Sequence, residues 1–403
     1  MISENKVLRE DCLRTLRSGK DVTHTVKIVT GARRCGKSTA MRQYIDELKR
    51  SGISSDRIFL FDIESKEYEN VKDFRDLNAA VASKITTKDR VYVFFDEPQK
   101  VDGWERTINS LMVDYDADIY ITGSNAYLLS SELATYMSGR YIEIKMLPLS
   151  FKEYLELHPP NEKKNIDVRF AEYMQYGSLP IIDPDTEDKE FVNGQIEGVY
   201  NTVLVKDVLK RLKPKDIVPL ENVSRYLYSN VGNLTNTFNI SKNSGITPTT
   251  VGSYVKALGD AYLFYKVQRY DVKGKRILKS SEKYYASDTG MRNIVLGDVG
   301  SDTGRLLENV VFLELIRRGY MVSVGSYRDL EIDFTVRKSG IGTEYFQVTE
   351  SLIHTNSAER EIRSLDSVKD HCQKTILSLD KMLKSPGNGI RHLNVINWLL
   401  GEE

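Results

Sequence analysis

Val26-Lys27-Ile28-Val29-Thr30-Gly31-Ala32-Arg33-Arg34-Cys35-Gly36-Lys37-Ser38-Thr39 decides how the rest of the chain is read. Val26 to Thr30, rich in β-branched residues, reads as a strand. From Lys37 to Arg50, Ala40, Met41, Tyr44, Ile45 and Leu48 recur at helical spacing. Between strand and helix lies G-x-x-x-x-G-K-S, the phosphate-loop pattern. Two glycines let such a loop curl until successive backbone N–H groups face inward, and the helix adds the positive end of its dipole. The candidate binding residues are Gly31, Arg33, Arg34, Cys35, Gly36, Lys37, Ser38 and Thr39. Lys37 is the cation for the β and γ phosphates of ATP, and Ser38 offers a hydroxyl to Mg²⁺.

Downstream, strands at 57–61, 91–95, 118–122 and 140–145 alternate with helices at 71–84, 104–114 and 128–137. That alternation implies an α/β fold with a parallel sheet and right-handed crossovers. Val91 to Phe95 is apolar on both faces, as a central parallel strand is. It runs into Asp96-Glu97, the Walker B pattern. Asp96 is the candidate Mg²⁺ holder, and Glu97 is placed to polarise an attacking water.

Composition limits the alternatives. The 403 residues correspond to two to four domains, and 40% apolar with 28% charged residues excludes a disordered chain. Lys plus Arg equals Asp plus Glu at 57 each, so any nucleic-acid contact must come from a local patch. Cys12, Cys35 and Cys372 are scattered, forming neither a disulfide framework nor a zinc motif. Met1 to Arg9 lacks the apolar core of a signal peptide, and Val91 to Phe95 is far shorter than a membrane span. The expectation is a reduced, cytoplasmic protein with no membrane partner.

The second half divides differently. Helices are expected at 168–176, 188–212, 221–231, 236–244 and 247–258, then strands at 264–270 and 276–285. The last three helices and the hairpin read as a winged helix. Its wing carries Lys273, Lys275, Arg276 and Lys279, where a DNA phosphate backbone would want them. Packing as a structural lid accounts for the same pattern. After a linker at 296–304 come a helix at 305–318, strands at 321–327, 331–337 and 344–349, a helix at 357–372, and strands at 375–379 and 392–398. The boundaries read as 1–150, 151–218, 219–295 and 296–403.

The order of the first five strands resembles the additional-strand ATPases, the AAA-type and the signal-transduction ATPases with numerous domains. That resemblance implies a fourth strand inserted between the P-loop and Walker B strands. It also gives Asn125, or Ser124, the role of sensing the γ-phosphate. Gly139-Arg140-Tyr141, Leu147-Pro148-Leu149-Ser150-Phe151, Tyr176-Gly177-Ser178-Leu179-Pro180, Lys283-Tyr284-Tyr285-Ala286-Ser287-Asp288-Thr289-Gly290 and Leu307-Glu308-Asn309 extend the likeness over nearly the whole chain. The chain resembles a group of bacterial and archaeal AAA-type ATPases with a C-terminal domain of unknown function. The resemblance implies ATP and Mg²⁺ as cofactors, slow ATP hydrolysis driving a conformational change, and an unidentified protein partner. A nucleotide-gated switch without turnover is the alternative, and a DNA-associated protein or nuclease is another. Arg140 is a sensor or a charge-stabilising finger in this likeness, or a structural ion-pair partner. The last hundred residues resemble the restriction-endonuclease-like fold, with Glu308 and Asp333 at two metal-ligand places. Gln347 and Thr349 stand where that fold's second acid and lysine belong, so cleavage is not expected.

Lys37→Ala is expected to abolish ATP binding, because no other ammonium in the loop can reach the β and γ phosphates. Equilibrium binding of a fluorescent ATP analogue checks it, and unchanged affinity would remove the P-loop assignment.

Overall fold

Five parallel strands form the first sheet of the computed structural model: β1 (Val26–Gly31), β2 (Ile58–Asp62), β3 (Val91–Asp96), β4 (Ala117–Gly123) and β5 (Tyr141–Met146), in the order β2-β3-β4-β1-β5. The structure describes residues 7–126, 139–212, 216–297, 302–353 and 358–402, with only the backbone of Lys279 and Ser280. The helix expected at 128–137 lies outside the described residues. β4 stands between β1 and β3, as the additional-strand likeness implies. All residues of β1, β3 and β4 are buried, which is why these strands show little polar alternation.

Helices α1 (Glu10–Ser18), α2 (Lys37–Arg50), α3 (Phe74–Lys84) and α4 (Trp104–Asp114) accompany the sheet. α2 buries the five apolar residues that its sequence spacing selects. Leu77, Val81, Ile108 and Leu111 of α3 and α4 join Phe61, Val93, Phe95 and Ile119 in one apolar core. Sequence periodicity does not announce α1. Only Cys12, Leu13 and Leu16 face inward, too few positions to establish a period.

On the opposite face of the sheet, toward Tyr44 and Tyr120, is a buried ion pair, Lys27 of β1 with Asp118 of β4, both without solvent exposure. Lys27 Nζ also donates to the Val22 carbonyl at 2.8 Å, and Asp118 accepts from Asp21 N and Tyr120 Oη, each at 2.8 Å. Burial outweighs the attraction of Asp118 and holds the Lys27 ammonium below the usual lysine range.

The chain divides into two compact units, 1–148 with 260–262 and 149–259 with 263–403. The second contains helices α5 (Phe151–Leu157), α6 (Ile166–Tyr176), α7 (Lys189–Val203), α8 (Val218–Ser229), α9 (Thr237–Ser244), α10 (Pro248–Asp260), α11 (Thr289–Leu296), α12 (Thr303–Arg317), α13 (Ala358–Asp366) and α14 (Val395–Leu400). A π-helical turn, Leu204–Leu209, continues α7. Strands β6 (Phe264–Asp271), β7 (Arg276–Ala286), β8 (Met321–Tyr327), β9 (Leu330–Lys338), β10 (Gly342–Val348), β11 (Gln373–Ser378) and β12 (Ile390–Asn394) form a second sheet, ordered β12-β11-β10-β9-β8-β6-β7. No helix among the described residues is long and apolar enough to cross a membrane.

The hairpin β6–β7, expected from the sequence to be a wing, belongs to this sheet. β6 pairs in parallel with β8 through Arg269–Val324, Tyr270–Gly325 and Asp271–Ser326. The boundaries expected at 218 and 295 therefore fall inside one unit. A lone hairpin is marginal in water and leaves an open edge, and β8 fills that edge. The strand expected at 392–398 stops at Asn394, whose side chain accepts from Ile396 N and Asn397 N and starts α14.

Two sequence motifs meet in this unit. Asp288 begins α11 by accepting from Met291 N at 3.0 Å, and its other oxygen accepts from Ser178 N at 2.7 Å. A Cβ on Gly290 would lie 2.2 Å from the Tyr176 carbonyl oxygen, and one on Gly177 2.2 Å from Asp288 Oδ1. Tyr176-Gly177-Ser178 and Ser287-Asp288-Thr289-Gly290 thus form a structural clasp between α6 and α11.

Asp118→Ala is expected to cost about 3–5 kcal/mol of stability, because it leaves the Lys27 ammonium buried and unpaired. Urea denaturation measures it, and a loss below about 1 kcal/mol would show that the pair does not anchor β1 to β4.

Candidate functional site

The phosphate loop leaves β1 at Gly31 and enters α2 at Lys37. Its two glycines are required for different reasons. Gly36 has φ 101°, a region that side chains disfavour, while a Cβ on Gly31 would lie 2.1 Å from the Met146 carbonyl oxygen of β5. Cys35 is fully buried and its Sγ donates to that same carbonyl at 3.5 Å, so its side chain faces the sheet and only its backbone faces the loop. Arg34 is exposed at φ 67°, and Arg33 and Thr39 are half-buried.

Lys37 Nζ donates to the carbonyls of Gly31 and Ala32, each at 3.0 Å, curling back over its own loop. Ser38 Oγ donates to Asp96 Oδ1 at 3.0 Å, joining the P-loop hydroxyl to the Walker B acid. Burial raises the Asp96 carboxyl above the usual range, hydroxyl donation from Thr122 and Ser38 counters this, and Glu97 adds to the rise.

Two contributors escape sequence reading. Thr122, at the end of β4, donates to Asp96 and accepts from Glu97 N at 3.2 Å. Register puts it there, since Thr122 pairs with Asp96 across β3 and β4. Arg9 is the other. Only 5% exposed, it donates to the Cys35 carbonyl at 2.5 Å and the Leu147 carbonyl at 2.6 Å. A trans peptide directs its C=O and N–H to opposite sides, so drawing the Cys35 carbonyl outward turns the Gly36 N–H the other way. No signal near Arg9 announces this role; the partners lie 26 and 138 residues away.

Glu97 adopts a left-handed backbone, φ 55° and ψ 46°, uncommon for a non-glycine residue and typical of functional sites. Its Oε2 accepts from Ser124 Oγ at 2.9 Å and from the Gln99 amide. Ser124 therefore touches Glu97 directly, and Asn125 follows it, half-buried. Arg140 is elsewhere. Its carbonyl accepts from Val26 N at 3.0 Å, at the amino end of β1, and its guanidinium donates to Asn109 at 3.3 Å. Gly31 pairs with Met146 six residues further along β5, so roughly 20 Å of strand separates Arg140 from the loop of its own chain.

In the second unit, Lys273, Lys275 and Arg276 are exposed at the tip of the β6–β7 hairpin, with Arg276 3.7 Å from Asp271; the Lys279 side chain lies outside the described residues. Glu308, Glu331 and Asp333 do converge, but around Lys283 of β7, which has 2% exposure. Burial alone would lower that lysine; Glu308, Asp333 and Glu331 together hold it well above its usual range. Gln347 accepts from Asp333 N at 3.2 Å and donates its amide to Glu361. A carboxylate at position 347 could not donate to Glu361, which gives a physical reason for the amide. Thr349 is buried nearby in sequence.

Comparisons with known proteins match two parts of the chain to family models. A family model described as "AAA domain" matches residues 23–155, and one described as "Domain of unknown function (DUF8612)" matches residues 168–302. An uncharacterised protein of Haemophilus influenzae is 38% identical, covering 99% of this chain and 100% of its own length. An uncharacterised protein of Methanocaldococcus jannaschii is 31% identical, with 87% and 80% covered. Solved structures align loosely. A signal transduction ATPase with numerous domains from Pyrococcus horikoshii shares 12% identity at TM-score 0.30 over 78% of this chain and 46% of that one, and AMPPCP-bound DnaA from Aquifex aeolicus shares 14% at TM-score 0.31 over 64% and 89%. With an AAA domain on the five-stranded sheet, a domain of unknown function following it in sequence, and relatives in a bacterium and an archaeon that match most of its length, the chain belongs to a family of AAA-type P-loop proteins shared by both.

Proposed function

We propose that this protein binds ATP with Mg²⁺ and hydrolyses it slowly to drive a conformational change. The carrying observation is that Ser38, Asp96, Thr122, Glu97 and Ser124 form one hydrogen-bonded chain at the carboxyl ends of adjacent strands, beside Lys37. Ser38 and Asp96 offer the hard oxygen donors that suit Mg²⁺, whose bound charge would offset that of the phosphates. Lys37 leaves the Gly31 and Ala32 carbonyls to meet the β and γ phosphates. The N–H groups of the loop, with Gly36 turned inward by Arg9, bind the phosphate oxygens. Glu97 orients a water and accepts its proton.

A second reading, a nucleotide-gated switch with negligible turnover, is favoured by one feature. Glu97 Oε2 is already engaged by Ser124 and Gln99, and a carboxylate held this way is a poor proton acceptor until released. In either reading a protein or DNA partner receives the change, and the exposed Lys273, Lys275 and Arg276 are the candidate DNA contacts.

Glu97→Gln is expected to retain ATP binding and to lose at least about ten-fold in turnover, since general-base help is typically worth 10² to 10⁴. Phosphate release under saturating ATP checks it. Equal and measurable turnover in both proteins would place the base elsewhere, and equally negligible turnover would favour the switch.

Arg9→Met is expected to weaken ATP binding about ten-fold, or ~1.4 kcal/mol, the scale of a hydrogen bond to a charged group. Calorimetric titration, with circular dichroism as a check on the fold, measures it. Unchanged affinity would show that the loop holds its shape without the guanidinium.

A further inference from the structure

Lys283 is the one cation among the described residues that the carboxylates Glu308, Glu331 and Asp333 share. Its Nζ lies 2.9 Å from Glu308 Oε1, 2.8 Å from Glu331 Oε1 and 4.0 Å from Asp333 Oδ1. Three elements far apart in sequence supply the group: β7, α12 and β9. An ammonium has three N–H groups, and here three acids surround it.

Two of the acids, Glu308 and Asp333, are closed in as well as paired, while Glu331 reaches the surface. Glu308 Oε1 also accepts from Tyr285 Oη at 2.6 Å, and Glu308 Oε2 packs 3.0 Å from where a Gly232 Cβ would stand. Asp333 Oδ2 accepts from Val348 N at 2.9 Å. A lysine that assists phosphodiester cleavage must touch the phosphate on which charge develops. Lys283, at 2% exposure behind its own carboxylates, offers no such access. A hard divalent cation needs several oxygens with free lone pairs at about 2.0–2.6 Å, whereas Glu308 Oε1 and Glu331 Oε1 are committed to an ammonium that would repel the ion.

We propose that the Lys283 ammonium is a built-in counter-ion occupying the place of a divalent cation, so that the Glu308–Glu331–Asp333 cluster is closed to metal and becomes a metal site only when Lys283 is removed. Without the ammonium, the carboxylates face each other uncompensated, a costly arrangement where Glu308 and Asp333 are largely buried. A divalent cation then offsets that cost, whereas in the native chain it has nothing to offset. This reading is independent of the nucleotide site, because the cluster lies within the second unit alone.

The experiment uses the full chain without nucleotide: wild type, Lys283→Met, Asp333→Asn and the double variant. Mn²⁺ uptake is followed by the electron paramagnetic resonance signal of the free ion, and stability by thermal unfolding. Wild type and Asp333→Asn are expected to take up equal Mn²⁺, which discounts weak binding at Asp96. Lys283→Met is expected to take up one further equivalent and to unfold at a lower temperature than wild type, with a midpoint that rises as Mn²⁺ is added. Both gains should vanish in the double variant. If Lys283→Met does not fold alone, Mn²⁺ in the refolding buffer is expected to rescue it. The proposal is overturned by wild-type Mn²⁺ uptake that Asp333→Asn loses, by a folded Lys283→Met with no added uptake, or by a Lys283→Met that Mn²⁺ cannot rescue. Mn²⁺-dependent plasmid cutting by the wild type that Asp333→Asn abolishes overturns it too.

Discussion

The seating of β4 between β1 and β3 is the constraint on which the nucleotide-type site depends. One end of β4 is held by the Lys27–Asp118 pair, and the other brings Thr122 onto Asp96 and Glu97. Parallel strands place every carboxyl end on one edge, so a single register decides which side chains meet there. A one-residue slip of β4 would send Thr122 to the opposite face and break the chain from Ser38 to Glu97. The buried pair costs desolvation, but it matches only when Lys27 and Asp118 are in register, and so it discriminates against the slip.

The loop itself is held from outside. Arg9 draws the Cys35 carbonyl outward, Cys35 Sγ bonds the Met146 carbonyl, and Gly31 leaves room for that same carbonyl. A phosphate cradle works by having its N–H groups aimed before the ligand arrives, since reorienting peptides on binding would cost affinity. The segment that precedes β1 and the exit of β5 therefore belong to the site although neither carries its motif.

The second unit solves a different problem with related means. Its hairpin would be an exposed two-stranded edge, and pairing with β8 absorbs it into a seven-stranded sheet. The same β7 carries Lys283 to the acids of α12 and β9, so the merger of hairpin and sheet also neutralises the carboxylate cluster. The single glycines of the motifs at 176–178 and 287–290 are explained by close backbone approach between α6 and α11, a structural reason rather than a chemical one.

Sequence alone determined the elements whose cause is local. The strand into Gly31, α2 with its apolar stripe, the Walker B strand and the P-loop glycines follow from periodicity and backbone sterics within about fifteen residues. Strand insertion was legible only by likeness. Tertiary structure decided what depends on register and on long-range approach. It put Thr122 on Asp96 and Ser124 on Glu97, set Arg140 at the far end of the sheet, and brought Arg9 to the loop. It also ended the last strand at Asn394, joined the β6–β7 hairpin to the sheet, and brought Lys283 of β7 to the acids of α12 and β9. The reason is common to all of these. A side chain's chemistry is written in its residue type, but its partners are chosen by which strand edges meet, and no local pattern encodes that choice.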